Sequence, residues 1–472
     1  MLLFPNLQEN GNEPQYLQLY KHIKEEILSS KLAADTHLPS VRKLAEFLMV
    51  STTVVETAYS QLVSEGLIES KPRKGFFVQN ALEQPPIESI QEKNNSRNSS
   101  INKERFSYDF HMSQNDFSQF PYSLWGKLYQ EALNYESENN LFFGNPQGEL
   151  GLRTALAAYL KQIRGVECSP EQIVIGADQF WLMSILSLIL KPQHQHLAAE
   201  NASYVLIPST FKQNGYIVTK IPMTDEGIDV PLLYNTKATI VAVSPSHSFP
   251  IGVFMSMDKR YELLRWAEKV NGLIIEDDYD GEFYYGKPFP AIQGMHPNSP
   301  VIYLGGFSQA VAPALCVSYM VLPKILLPRY YEVQNEILIE QPSSKLHQRA
   351  LQLLIERGHL ERHLRKMRTL YRRKHDLIVK SVEKYFNEYG TVSGTNGGFH
   401  IILEITSSTT EKDLLLKAGN KGIRVASAAY SREEKTNKRK KFILGFAGIQ
   451  EDLIEEGIER LFLAWNKDLL LD

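Results

Sequence analysis

Between about residues 83 and 104 the chain runs through Gln84-Pro85-Pro86 and then Asn94-Asn95-Ser96-Arg97-Asn98-Ser99-Ser100, with almost no apolar side chain. A stretch of this composition has too little apolar surface to offset the entropy of ordering it, so it reads as a flexible linker. One continuous core is therefore forbidden. The 472 residues must fold as separate parts, in keeping with a prior of roughly 150 residues per domain. We read residues 1–80 as one domain, 81–105 as the linker and 106–472 as a second, larger domain. With 43% hydrophobic and 22% charged residues the chain has ample material for a large core.

Ahead of the linker, Tyr20, Ile23 and Ile27 recur at helical spacing and mark a first amphipathic helix. Pro39-Ser40 opens a second, with Ser40 as N-cap and Val41, Leu44 and Leu48 as its buried stripe. After Met49-Val50, Ser51 caps a third helix whose inner face is Val55, Ala58 and Leu62, and Gly66 stops it. Leu67-Ile68 and Phe76-Phe77-Val78 then read as two strands joined by the turn Pro72–Gly75. Two short helices with a tight turn and a β-hairpin make a winged helix-turn-helix. A recognition helix shows short or hydrogen-bonding side chains to the major groove while its other face packs on the scaffold. Ser51, Thr52, Thr53 and Glu56 are placed for that role. Ser40, Arg42 and Lys43 open the second helix, where amides and cations hold phosphates, and Arg73, Lys74 and Gly75 form the wing tip. The net charge of −3 means that contact with double-stranded operator DNA must come from such a local patch.

Taken in order, Leu38-Pro-Ser-Val-Arg-Lys-Leu-Ala45, Val50-Ser-Thr-Thr-Val-Val-Glu-Thr-Ala-Tyr59, Leu62-Val-Ser-Glu-Gly-Leu-Ile68 and Lys74-Gly-Phe-Phe-Val78 resemble the GntR superfamily of bacterial regulators. Thr52 stands where that family commonly has arginine, so an operator sequence does not transfer.

Beyond the linker, the apolar runs Gln172–Ile175, Ala238–Val243, Leu273–Ile275 and Val301–Leu304 alternate with helical stretches. That alternation predicts an α/β domain with a mainly parallel sheet covered on both faces. Leu141-Phe-Phe-Gly-Asn-Pro-Gln-Gly148, Ser244-Pro-Ser-His-Ser-Phe-Pro-Ile-Gly252 and Ile275-Glu-Asp-Asp-Tyr-Asp-Gly-Glu-Phe283 resemble signatures of the fold-type I aminotransferases. Together with the first domain they resemble the MocR/GabR-type subfamily of GntR regulators. The resemblance implies a large α/β domain with a smaller C-terminal α+β subdomain, a homodimer, and a pyridoxal phosphate pocket. In that pocket Asp277 would face the pyridine nitrogen, Tyr279 and His247 the phenolic oxygen. Gly176, Ala177 and Asp178 would offer amides to the phosphate, and Tyr204 would stack on the ring.

Three departures cut across this. In Tyr303-Leu-Gly-Gly-Phe-Ser-Gln-Ala310, Ser308 is followed by Gln309 where the resemblance expects the Schiff-base lysine. Further on, Cys316 stands where an arginine would clamp the phosphate, and Ile443 where many aminotransferases bind the substrate carboxylate with arginine. An amide nitrogen is not a nucleophile, so covalent cofactor chemistry is not expected. The leading reading is a transcriptional regulator, not an enzyme, whose second domain dimerises and senses an unknown small-molecule effector. Two alternatives are an active aminotransferase, against which residue 309 argues, and a regulator holding pyridoxal or pyridoxamine phosphate non-covalently through Asp277, Tyr279 and His247.

Cys168 and Cys316 form neither a disulfide framework nor a Cys-x-x-Cys metal motif. No signal-peptide pattern opens the chain, and the longest apolar run, Phe180–Leu190, falls short of a membrane span, which takes roughly 20 residues. A reducing, cytoplasmic setting without membrane contact is the expectation. The basic stretch His359–Lys374 reads as an exposed amphipathic helix with Leu360, Leu364, Met367 and Leu370 inward.

Overall fold

The structure, a computed structural model, describes residues 13–470 except 30, 73, 80–105, 112–114, 136–137, 139–141, 203, 286–288, 338–339, 341 and 429–437. The expected linker and Arg73 thus lie outside the described residues. The chain divides into two compact units, Met1–Lys103 and Glu104–Asp472.

The N-terminal unit contains helices α1 (Gln15–Leu28), α2 (Val41–Leu48) and α3 (Thr52–Ser64), followed by an antiparallel hairpin of β1 (Ile68–Lys71) and β2 (Gly75–Val78). Ser40 caps α2 by accepting from the Lys43 amide at 3.4 Å. Met49, in the left-handed region (φ 53°), turns the chain sharply toward α3. Ser51 occupies the N-cap position of α3, but its side chain makes no capping bond, contrary to the sequence expectation. Leu19, Ile23 and Ile27 on α1 pack with Leu44, Ala45, Val55, Ala58, Tyr59 and Leu62 in one core. The sequence reading put Tyr20 in this seam. The ring is only half-buried because its hydroxyl turns out to accept from Lys24 Nζ at 2.9 Å, and Leu19 fills the place. The Tyr59 hydroxyl donates to the Pro39 carbonyl at 3.0 Å and ties α3 to the start of α2.

The second unit is built on a seven-stranded sheet: β3 (Ile173–Gly176), β4 (His196–Glu200), β5 (Ile217–Ile221), β6 (Ile240–Val243), β7 (Leu273–Asp277), β8 (Val301–Gly306) and β9 (Ser318–Val321). Their order is β3-β9-β8-β7-β6-β4-β5. β5, β4, β6, β7 and β8 run parallel, whereas β9 is antiparallel to both its neighbours. The four residues of β3, β6 and β9 are all buried, as strands covered on both faces must be. Helix α4 (Leu150–Arg164) precedes the sheet, α5 (Gln179–Leu190) follows β3 and α6 (Met257–Val270) leads into β7. On one face Leu182, Leu186 and Ile189 of α5 meet Leu197, Ile275 and Leu304. On the other, Leu263 and Trp266 of α6 meet Val241, Ile274 and Val301.

The C-terminal part is α+β, with a four-stranded antiparallel sheet that includes the long pair His400–Thr406 and Arg439–Gly445. The basic stretch belongs to the 28-residue helix His359–Phe386, which buries Leu360, Leu364, Met367 and Tyr371. Leu370 is only partly buried, since the seam advances by four residues to Tyr371. No described helix is long and apolar enough to cross a membrane.

Candidate functional site: the helix starts of the first unit and the sheet's carboxyl edge

On the N-terminal unit, Ser40, Arg42 and Lys43 are exposed at the start of α2, and Ser51, Thr52, Thr53 and Glu56 at the start of α3. The two turns are brought together by the shared core and by the Tyr59–Pro39 hydrogen bond. Both helix starts are therefore free to face a ligand while α1 supports them from behind. Lys74 is exposed on the hairpin, and its carbonyl lies 2.9 Å from His37 Nε2. Gly75 is needed beside it: its φ is +98°, and a Cβ there would come within 2.8 Å of His37 Nε2. His37 was not marked by the sequence reading; an isolated histidine ahead of a helix carries no signal that it will brace a turn 37 residues away.

In the second unit the carboxyl ends of β3, β4, β6, β7 and β8 gather most of the remaining sequence-predicted residues, where open α/β sheets hold their ligands. Asp277 ends β7, paired with Leu304 of β8, and is 4% exposed. Its Oδ1 accepts from Gln179 Nε2, in the first turn of α5, at 2.7 Å. Burial, chiefly, pushes its carboxyl up to about 7, and Asp278 and Asp280 add to the effect. His247 follows β6, with Nδ1 3.1 Å from the Tyr279 hydroxyl and 3.0 Å from Asp280 Oδ2. A carboxylate only accepts, so Nδ1 carries a proton, and Nε2 is buried without a partner. The His400 ring lies 4.7 Å from that of His247, and burial drives its own pKa down to about 3. Gly398 makes room, since a Cβ there would come within 2.3 Å of His247 Cε1.

At the other end of the edge, Gly176 is buried at the end of β3 and Ala177 is half-buried. Asp178 does not simply present its amide: its own carboxylate caps α5, with Oδ1 accepting from the Trp181 amide at 2.7 Å. Gly306 of β8 pairs with Ser318 of β9, and Phe307, Ser308 and Gln309 continue from it. Ser308 and Gln309 are half-buried, and the Gln309 Oε1 atom is buried without a hydrogen-bond partner. Cys316 is exposed in a left-handed conformation (φ 51°). Tyr204 is 46% exposed, its ring edge-on to Phe249 at 6.0 Å. Ile443 is buried in the C-terminal sheet.

Sequence reasoning missed four further residues here. Gln179 stands next to the marked Asp178 and holds Asp277 across 98 positions. Asp280 lies within the quoted motif yet was given no part. Gly398 and Glu200 carried no local signal. Glu200 ends β4, fully buried, and burial lifts its carboxyl to about 8. Beneath the edge, Arg164 pairs with Asp278 at 2.7 Å and donates to Ser246 Oγ at 2.7 Å. Burial would raise Asp278, but Arg164 and the hydroxyls of Tyr303 and Ser246 hold it below the ordinary carboxylate range.

Residues 15–78 match the model for bacterial regulatory proteins of the gntR family, and residues 109–461 that for aminotransferase class I and II. The chain is 36% identical to the uncharacterized HTH-type transcriptional regulator YdeL of Bacillus subtilis, over 99% of this chain and 100% of that one. The chain belongs to the gntR-type transcriptional regulators with an aminotransferase class I and II domain. The regulator is also 28% identical to the probable rhizopine catabolism regulatory protein MocR of Rhizobium meliloti, over 96% of its own length and 94% of the relative's. Its second unit has the fold of kynurenine aminotransferase from Pyrococcus horikoshii, solved in complex with PMP: the TM-score is 0.67 at 23% identity, covering 77% of this chain and 92% of that one. The fold class and the two kinds of domain read from the sequence stand, and a GntR helix-turn-helix implies DNA binding by the regulator.

Proposed function

We propose that the regulator binds its operator sequence-specifically through the start of α3 in the major groove, and that its second unit is a cytoplasmic homodimeric sensor that does not transaminate. The exposed row Thr52, Thr53 and Glu56, opposite the buried Val55, Ala58 and Leu62, carries the DNA reading. Ser40, Ser51, Arg42 and Lys43 hold phosphates at the two helix starts, and the wing of Arg73, Lys74 and Gly75 reaches the flanking backbone. Position 309 carries the sensor reading. A glutamine amide offers neither a nucleophile nor a proton shuttle at the place the resemblance gives to the Schiff-base lysine. Homodimerisation is supported by Phe142 and Phe143 (71% and 67% exposed), Phe180 (52%) and Val205 (66%), apolar surface that a second copy would cover.

The test has two arms. In fluorescence anisotropy at moderate salt, the full-length protein is expected to prefer a duplex selected from upstream of its own gene over a scrambled one by at least ten-fold. Equal affinity for both refutes the operator reading. Incubated with common amino donors, 2-oxoglutarate and pyridoxal phosphate, the protein is expected to form no glutamate. Stoichiometric transfer abolished by Asp277→Ala refutes the non-catalytic reading.

A further inference from the structure

We infer that the pocket at the carboxyl edge has changed ligand class: it takes a phosphate-free ligand that presents a protonated nitrogen to Asp277. The inference rests on the sensor reading above and names the chemistry that the sensor recognises.

The end of the edge that the resemblance assigns to a phosphate does not fit one. A helix N-terminus attracts anions through its free amides and the positive end of its dipole. At α5 this place is taken by the Asp178 carboxylate, 2.7 Å from the Trp181 amide. A phosphate arriving there meets a like charge beside the Trp181 amide it would use. None of Gly176, Ala177, Ser308, Gln309 and Cys316 brings a cation to offset it, and the Cys316 thiol cannot make the forked contact of an arginine.

The opposite end asks for positive charge. Asp277 is 4% exposed and, among the described residues, its Oδ1 has only the neutral Gln179 amide as donor. Asp278, Asp280 and Glu200 all act on it electrostatically, and all are of its own sign. Among the described residues no lysine, arginine or histidine forms an ion pair with it, whereas neighbouring Asp278 is paired with Arg164 and Asp280 accepts from His247 Nδ1. An N–H cation at Asp277 supplies what the protein withholds.

Two unfilled groups at the same strand ends point the same way. His247 Nε2, on a side chain 1% exposed, and Gln309 Oε1 are buried without partners. Gln309 Oε1 is an acceptor, as is Nε2 of a neutral His247, so the pair calls for donors, and a phosphate ester brings only acceptors to its end of the molecule. A flat base with a ring N–H and an amino group matches the set. Pyridoxamine is the simplest probe of this class, and its 5′-phosphate differs by the one group in question.

Calorimetric titration of the full-length protein with pyridoxamine, pyridoxamine 5′-phosphate and inorganic phosphate decides the matter. Pyridoxamine is expected to bind at least ten-fold more tightly than its phosphate ester, with no heat from inorganic phosphate. Asp277→Asn is expected to weaken pyridoxamine by at least ten-fold. Asp178→Ser with Cys316→Arg is expected to raise affinity for the phosphate ester, a gain that a merely misfolded variant does not show. Equal or tighter binding of the phosphate ester by the native protein overturns the inference, as does failure of pyridoxamine to bind at millimolar concentration. Anisotropy on the operator duplex with the same preparations separates the two readings. Retained DNA preference with the wrong ligand selectivity sinks the pocket inference alone; lost DNA preference with the expected selectivity sinks the operator reading alone.

Discussion

Replacing Arg164 by methionine removes the cation beneath the pocket while keeping an unbranched side chain of similar length. In the native protein the guanidinium donates to Asp278 Oδ2 at 2.7 Å and Oδ1 at 3.3 Å, to Ser246 Oγ at 2.7 Å and to the Phe289 carbonyl at 3.2 Å. Arginine and carboxylate side chains are 3% and 1% exposed, so water cannot replace the lost partner. Breaking a buried pair from one side costs about 3–5 kcal/mol, because the other charge stays behind uncompensated. Asp278 keeps the Tyr303 hydroxyl at 2.6 Å, which places the expected loss near the lower end, at about 3 kcal/mol. All four tryptophans, Trp125, Trp181, Trp266 and Trp465, belong to the second unit, so their fluorescence in urea reports on that unit alone. The deficit should narrow as pH falls from 7.5 to about 5, since a buried carboxyl without its cation takes up a proton more readily. Arg164→Met with Asp278→Leu, which removes both charges, should recover most of the loss. A single-variant cost under about 1 kcal/mol, or a double variant no more stable than the single, would show that the pair does not brace this edge.

Buried acids set the pH dependence in the alkaline direction. Burial raises Glu200 to about 8 and Asp277, Glu276 and Glu282 to about 7, so the folded state binds more protons than the unfolded chain, and the stability they confer is lost as pH rises through 7 and 8. The tryptophan-reported melting midpoint should therefore fall between pH 7 and 8.5, less steeply in Asp277→Asn; a midpoint that rises over this range contradicts the assignment. His400, lowered to about 3 by burial, acts oppositely below roughly pH 6.5, where the unfolded histidine takes up a proton, and offsets part of what the four acids add as pH falls. Gly398→Ala forces a Cβ to 2.3 Å from His247 Cε1 at a φ of +74°, and should cost more than about 1 kcal/mol in urea while abolishing pyridoxamine binding; unchanged stability refutes the tight packing there. Arg42→Ala should weaken operator binding and reduce the slope of log K against log salt by about 0.9, one phosphate contact, and an unchanged slope removes Arg42 from the interface.

Much of the fold was legible because periodicity is local. The inner faces of α2 and α3 and the strands ending in Gly176, Val243, Asp277 and Gly306 follow from apolar spacing within a few residues. The antiparallel direction of β9 was not, since Ser318–Val321 is as uniformly buried as its parallel neighbours and a buried run does not encode its direction. Asp277, Tyr279 and His247 could be named because each sits in a contiguous motif. What each one touches could not: the Gln179–Asp277 bond and the place of Gly398 against His247 arise only when distant strand ends converge. Asp178 is the instructive case. An aspartate directly ahead of a helix is a strong N-cap by local chemistry, and that reading competes with an anion at the same amides.

The loop of residues 307–317 is closed at its neck. Gly306 stands opposite Ser318, and the Phe307 amide donates to the Val317 carbonyl at 3.1 Å. Gln309 and Cys316, two of the positions that the sequence reading marked as departures, fall inside that neck, and the strands on either side pair in unbroken antiparallel register. Side chains within the loop thus sit outside the hydrogen-bonded frame: the backbone bonds that join the two strands do not pass through residues 309 or 316.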